Sequence, residues 1–292
     1  SAVLLFGSSA NGAKRWLGSQ DLITVQPSEF AKIILIICAA HFLADHKDTI
    51  NTVKTLIQYA VFCAIPLFLI VCEPDLSTTL DVFAILFVML FVAGLSYKII
   101  GIVVLCLIPL AGSFMWYVKQ PDPLFLKDYQ QERILSFLYP DEYASTTQYQ
   151  QDNSVMAIGS GQLFGKGLNN STLATVKDAN LISEQQTDFI FSVVGEELGF
   201  VGSTLIIVIL GLIVVQCIRT ARKASDSNGM FIATGVATLV GVQTFLNIGV
   251  ATSLLPNTGI PLPFISYGLS SLVSSCAGMG LVMNVSLQRR KY

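Results

Sequence analysis

The residues with chemistry to explain are the ionisable side chains at the edges of, or inside, long apolar runs. A charged group in a membrane span costs on the order of 2.5–3.5 kcal/mol on insertion scales, so each needs a partner or a task. Glu29 and Lys32 stand three positions apart. That spacing puts both side chains on one helix face, where they can pair and fix helix packing or face a substrate together. Glu73-Pro74-Asp75 marks a tight turn between two apolar runs, and Asp75 is placed to cap the helix that begins at Leu76. Asp81, further along that helix, lies on a different face from Asp75, and the sequence assigns it no role. Glu196 and Glu197 are adjacent carboxylates inside an apolar run and must be protonated, hydrated or paired. Packing around a partner such as Lys32 is the simplest expectation for them. Asp188 is the sharper case. The run Thr187-Asp188-Phe189-Ile190-Phe191 opens a span directly after a long polar loop, which puts a carboxylate where a lipid head group would also lie. Spacing alone leaves two roles open: complementing a helix dipole, at about 0.3–1 kcal/mol, or acting on a substrate.

The elements that must hold these groups are membrane helices. The 292-residue chain is 53% hydrophobic and 12% charged, with a mean hydropathy of +0.65. Soluble domains carry roughly 25% charged residues, so a soluble fold of this composition could not cover its surface. Seven stretches approach the ~20 apolar residues that a bilayer core requires: Pro27–Ala44, Thr55–Cys72, Leu76–Ser96, Ile99–Val118, Asp188–Ile218, Met230–Ala251 and Ser266–Leu287. Pro66, Pro109 and Gly241 inside them are tolerated in membrane helices. The fifth stretch is long enough to tilt or to project from the bilayer. Its alternate loops segregate charge. Lys47, Lys54, Lys98, Arg219, Arg222, Lys223, Arg289, Arg290 and Lys291 fall on one side, against only Lys14 and Arg15 in the short connections opposite. The positive-inside rule then predicts a cytoplasmic C-terminus and an outward-facing long loop, itself too long to count in that rule. The fold expected is an all-α polytopic membrane protein. It has about seven complete transmembrane helices and an N-terminal helix remnant at Ala2–Phe6, read as one domain over residues 1–292. Within it lie a long extracytoplasmic loop at 119–187, with short helices expected on the membrane at 129–139 and 149–158, and a Pro-rich extracytoplasmic loop at 252–265.

Several function classes drop out. With 17 basic and 19 acidic residues no basic face stands out for nucleic acid. No phosphate-binding glycine loop of the Walker or G-x-G-x-x-G type is present. The polar residues concentrate on the outer side, away from nucleotide pools, so an enzyme here needs a substrate already activated, most simply through a membrane lipid. The six cysteines all lie in apolar stretches without metal-ligand spacing and read as small hydrophobic residues. From Ser227 to Gln288 no charged residue occurs, yet that run contains Leu255-Pro-Asn-Thr-Gly-Ile-Pro-Leu-Pro-Phe-Ile-Ser-Tyr-Gly268. Its three prolines make a shaped outer loop, either a rigid connection or a cavity lining.

A set of short motifs runs in order along nearly the whole chain. It comprises Gly12-Ala-Lys-Arg-Trp-Leu17, Gln26-Pro-Ser-Glu-Phe-Ala-Lys32, Pro74-Asp-Leu76, Tyr129-Gln-Gln-Glu-Arg-Ile134, Ala157-Ile-Gly-Ser-Gly161 and Phe164-Gly-Lys-Gly167. It continues with Thr187-Asp-Phe-Ile-Phe191, Glu196-Glu-Leu-Gly199, Asn247-Ile-Gly249 and Leu262-Pro-Phe-Ile-Ser-Tyr-Gly268. In these the chain resembles the SEDS family (shape, elongation, division and sporulation; RodA/FtsW-like). The resemblance implies a ten-span fold of which this chain lacks the first two spans and most of the third. It also implies a peptidoglycan glycosyltransferase of the bacterial cytoplasmic membrane that polymerises lipid II and releases undecaprenyl pyrophosphate, beside a class B penicillin-binding protein. The family's essential outer-side aspartate falls at Asp188, as base or as anchor of a divalent cation (Mg or Mn); no nucleotide is implied. Substrate contacts are expected from Arg15, Trp16, Glu29, Lys32, Asp75, Arg133, Lys166, Ser266 and Tyr267, with Arg15, Lys32, Arg133 and Lys166 facing the pyrophosphate. The chain departs from the family pattern at Glu73 and Ser77, where Gln and Gly are frequent, at Gln186 in place of His, and at Leu269 in place of a second Gly. Leu269 is expected to restrict the backbone there.

Two other readings compete. A flippase for lipid-linked sugars would use Glu29, Lys32, Glu196 and Glu197 along a pathway, but it needs polar groups continuing to the cytoplasmic side, where the loops are short and basic. A non-catalytic scaffold for a transpeptidase would need no Asp188 carboxylate.

Overall fold

The computed structural model describes residues 8–10 and 13–16 as backbone, and 25–73, 75–120, 128–139, 147–168, 182 and 185–288. Strands β1 (Ser8–Ala10) and β2 (Ala13–Trp16) pair antiparallel, with Ala10 opposite Ala13. This hairpin was not expected from an apolar, helix-dominated sequence; the helix remnant expected at Ala2–Phe6 lies outside the described residues.

Helix α1 (Pro27–Asp45) starts on a proline, whose fixed φ and missing N–H suit a first helical turn. Helix α2 (Val53–Cys72) is capped by Thr52, which accepts from Thr55 N, and tolerates Pro66 inside it. Helix α3 (Leu76–Val92) is capped by Asp75, and α4 (Tyr97–Val118) carries Pro109. Two shorter helices follow, α5 (Asp128–Leu138) and α6 (Thr147–Ser160), close to where short helices were expected. Then come α7 (Ile190–Arg222), α8 (Ser227–Ala251) and α9 (Leu269–Leu287). Six of these, α1, α2, α4, α7, α8 and α9, are long and apolar enough to cross a membrane. The 17-residue α3 is the seventh apolar helix, about 25 Å long at 1.5 Å per residue. On α4 the side chains of Ile102, Leu105 and Ile108 are all exposed, an apolar surface that requires lipid rather than water.

The chain divides into two compact units, Ser1–Ser96 with Leu210–Gln243 and Pro263–Tyr292, and Tyr97–Ile209 with Thr244–Leu262. In the first, α1, α3 and α8 bury Ile36, Leu43, Ile85, Met89, Phe231 and Leu239 in one core. That core also encloses a polar network. Lys32 Nζ donates to Glu29 Oε1 at 2.8 Å and to Asp81 Oδ2 at 3.3 Å. Gln243 Nε2 donates to the same Asp81 oxygen at 2.8 Å, and Ser274 Oγ donates to Glu29 Oε2 at 3.3 Å. Four helices thus join in one network around the Lys32 ammonium, and Asp81, to which no role could be assigned from sequence, is its second carboxylate.

The second unit is organised by a break in α7. Gly199 has φ 67° and ψ −165°, so the apparent 33-residue helix is two helices in sequence, and the long fifth span is broken rather than only tilted. A break frees backbone groups that must find other partners. Here they find the glycine-rich segment after α6. Lys166 N donates to Glu196 O and Gly167 N to Glu197 O, while Phe200 N donates to Gln162 O and Val201 N to Leu163 O, all at 2.8–3.1 Å. A Cβ at Gly199 would run into the backbone of Leu163 and Gly165, so only glycine permits both the positive φ and this approach. Helix α6 covers the end of α8. Gln151 Nε2 donates to Val250 O (3.1 Å) and Leu255 O (2.9 Å), and Ser154 Oγ to Ala251 O (2.7 Å), which satisfies carbonyls that a helix C-terminus leaves open.

Candidate active site

Asp188 stands in the turn just before α7, partly exposed, and the buried Phe189 beside it anchors that turn among Ala157, Ile182 and Val250. The backbone of Asp188 is held from α8. Asn247, 1% exposed, donates from Nδ2 to Asp188 O and to Ile260 O, both at 2.8 Å. One amide therefore ties the aspartate turn to the loop that follows α8. In that loop Gly259 takes φ +70°, and a Cβ added there would sit 3.0 Å from Asp188 Oδ2 and 3.7 Å from Arg133 Nη1. Arg133, carried on α5, donates from Nη1 to Thr258 O at 3.4 Å. A carboxylate and a guanidinium from distant parts of the sequence thus flank one side-chain-free turn, and glycine leaves room between them.

This brings together two of the sequence-derived candidates, Asp188 and Arg133. Lys166 is engaged otherwise: its Nζ lies 2.7 Å from Glu196 Oε1, and Ser160 Oγ donates to that oxygen at 3.4 Å. Among the described residues the ion-pair partner of Glu196 is therefore Lys166 rather than the expected Lys32, because the helix break brings the glycine segment alongside it. Glu29 and Lys32 do form the ion pair their spacing allows, 3% and 2% exposed within the first unit. Asp75 caps α3 by accepting from Thr78 N (3.0 Å) and Thr78 Oγ1 (2.8 Å). In the same unit Ser266 is buried and Tyr267 is 80% exposed. Leu269 is the first residue of α9, preceded by an extended Gly268, so helical backbone accommodates it and no turn is restricted there. Arg15 and Trp16 belong to β2, and their side chains lie outside the described residues.

Gly259 was not singled out by sequence reasoning, and Asn247 stood only as part of the motif Asn247-Ile-Gly249, with no role attached to its side chain. Their signals were present: a carboxamide in an uncharged apolar helix needs partners, and Asn257-Thr258-Gly259 between prolines is a turn that favours positive φ. Chemically, the site offers an oxygen base beside a fixed cation, which suits deprotonation of a hydroxyl while an anionic group departs. Among the described residues no three acidic, His or Cys side chains converge into a metal cage. A Mg²⁺ ion held by one carboxylate plus phosphate oxygens is a common arrangement, and Asp188 is the carboxylate that could take that part.

Comparison with known proteins agrees with this architecture. Stage V sporulation protein E of Bacillus subtilis (strain 168) is 38% identical over 285 residues, covering 97% of this chain and 74% of that protein. Peptidoglycan glycosyltransferase MrdB of Escherichia coli (strain K12) is 33% identical over 290 residues, covering 99% and 75%. Among solved structures, a chain of a peptidoglycan synthase complex in which polymerization and crosslinking are coordinated superposes with a TM-score of 0.78 at 29% identity, covering 100% of this chain and 78% of that one. The rod shape determining protein RodA of Thermus thermophilus superposes with a TM-score of 0.64 at 27% identity, covering 99% and 74%. The model of the FtsW, RodA and SpoVE family, described as cell cycle proteins, matches residues 1–291. Motif order, helix pattern and these matches together make the chain a multi-pass membrane protein of the FtsW/RodA/SpoVE family.

Proposed function

We propose that this chain is a peptidoglycan glycosyltransferase that polymerises lipid II on the outer face of the cytoplasmic membrane. The observation that carries the reading is the placement of the Asp188 carboxylate and the Arg133 guanidinium around the Gly259 turn, in a chain whose relatives include named peptidoglycan glycosyltransferases. In the reaction, the 4-hydroxyl oxygen of the acceptor sugar attacks the anomeric carbon of the donor strand. The bond from that carbon to the lipid diphosphate breaks, and its electron pair leaves with the diphosphate. The hydroxyl proton passes to Asp188, and Arg133 supplies positive charge to the departing group. A single displacement of this kind inverts the anomeric centre. In the alternative role Asp188 would instead anchor a divalent cation, Mg or Mn, which would supply positive charge to the leaving group and acidify the attacking hydroxyl. The distribution of basic residues supports a cytoplasmic C-terminus. A class B penicillin-binding protein is the partner supported by the structural likeness to a synthase complex that couples polymerization to crosslinking.

The test is polymerisation of purified lipid II by the full-length protein with its transpeptidase, with and without a chelator, for wild type, Asp188→Ala and Asp188→Asn. Loss of a general base lowers the rate by on the order of 10²–10⁴-fold, and both variants are expected to fall by that much while remaining folded. An undiminished glycan yield from either variant would refute the assignment of Asp188.

A further inference from the structure

An apolar cleft of about 480 Å³ opens between α3, α7 and α8 in the first unit, and the catalytic reading makes no use of it. Its walls include Val88 and Val92 of α3, Val214 and Ile218 of α7, and Gly241 of α8. Thr234 and Thr238 also line it, but their hydroxyls donate to Met230 O (2.8 Å) and Thr234 O (2.9 Å) on their own helix, so they add no free donor to the cleft. At one end stands Arg222. It is exposed, as are Arg219 and Lys223 beside it, and none of the three enters an ion pair among the described residues. Along α8 the lining runs from Met230 to Val242, about 18 Å at 1.5 Å per residue, which is close to half of a ~30 Å hydrocarbon core.

We propose that this cleft binds one acyl chain of an anionic glycerophospholipid whose phosphodiester pairs with Arg222. The dimensions and the charge arrangement choose this occupant. A helix of ~10 Å diameter would fill roughly 1,400 Å³ over the same length, so a partner helix could rest on the rim without entering. Its apolar face would also cover an unpaired guanidinium, which is unfavourable without a compensating acceptor. A phosphodiester supplies that acceptor through charge-assisted hydrogen bonds, and a chain of methylenes matches a narrow apolar slot. The orientation proposed above places Arg222 at the cytoplasmic leaflet, whose anionic lipids attract juxtamembrane basic residues.

The experiment is native mass spectrometry of the full-length protein released from micelles containing equal palmitoyl-oleoyl phosphatidylglycerol and phosphatidylcholine. Wild type is expected to retain phosphatidylglycerol in preference. Arg222→Gln should reduce that preference about five-fold, the effect of removing one basic residue at the surface. Gly241→Leu should reduce retention of both lipids, since a Cβ there meets only Val214, at 3.8 Å or more, and the side chain would project into the slot. Thr238→Leu is a second filling variant should Gly241→Leu not fold. An unchanged lipid ratio in Arg222→Gln, or unchanged occupancy in a folded filling variant, would overturn the proposal. So would cross-linking of a Gly241→Cys protein to a neighbouring transmembrane helix in native membranes, or displacement of the phospholipid by an equal amount of undecaprenyl phosphate.

Discussion

Among the described residues the Lys32 ammonium, 2% exposed, is the one cation that contacts both Glu29 and Asp81, themselves 3% and 0% exposed. Removing it would leave two carboxylates in a medium that cannot solvate them, whereas removing a surface charge would do little. Lys32→Met is therefore expected to lower stability by about 3–5 kcal/mol, read as a large fall in Tm by fluorescence-detected size exclusion. The exposed Lys54→Met is expected to leave Tm unchanged. Equal Tm values for the two variants would show that the network does not hold the first unit together. Glu29 and Lys32 could be paired on paper because helical periodicity fixes their distance, and the Asp75 cap could be read because its partner is three residues away. Asp81 could not, because both of its partners, Lys32 and Gln243, come from other helices. The role of Asn247 escaped for the same reason, although the residue stands in a motif, since its two acceptors, Asp188 O and Ile260 O, meet only in three dimensions.

At the level of elements, the interruption of α7 sets where the aspartate turn and the glycine segment stand. Gly199→Ala would force an L side chain to φ 67° and into the backbone of residues 163–165. Strain at such a position costs on the order of 1–3 kcal/mol before any clash is counted. Gly211→Ala, in the same helix with open space around it, is the control and is expected to be neutral or to stabilise by up to about 1 kcal/mol. Thermal unfolding followed by intrinsic fluorescence should separate the two variants by several degrees, and coincident curves would mean the break can be closed. The sequence displayed an overlong apolar stretch and a glycine-rich segment as separate facts. Their connection was not legible, because glycine is common in membrane helices and the hydrogen bonds that join the two segments are made by main-chain atoms that leave no mark on residue type.

For the whole molecule, the number and approximate limits of the apolar helices were legible, because bilayer thickness imposes a length on each of them. The division into two units was not, since α7 and α8 each run through both and no linker composition marks the change. The sidedness inferred from basic residues has its own check. The native cysteines are replaced by serine, and single cysteines are then introduced as Ser225→Cys in the α7–α8 turn and Leu254→Cys after α8. A membrane-impermeant maleimide is expected to label Leu254→Cys in intact spheroplasts and Ser225→Cys only after permeabilisation. The reverse pattern would invert the topology and with it the outer placement of Asp188.

The backbone pairing of residues 162–167 with residues 196–201 carries an implication for variation. Contacts made by N–H and C=O groups survive almost any change of side chain, provided nothing bulky intrudes between the two segments. Leu163 and Phe164 point outward, 59% and 80% exposed, and are free to take other identities without loosening this splice. Tolerance in the segment should therefore be uneven: broad at its outward residues, and nearly nil at the few positions where two main chains touch and a single methyl group would pry them apart.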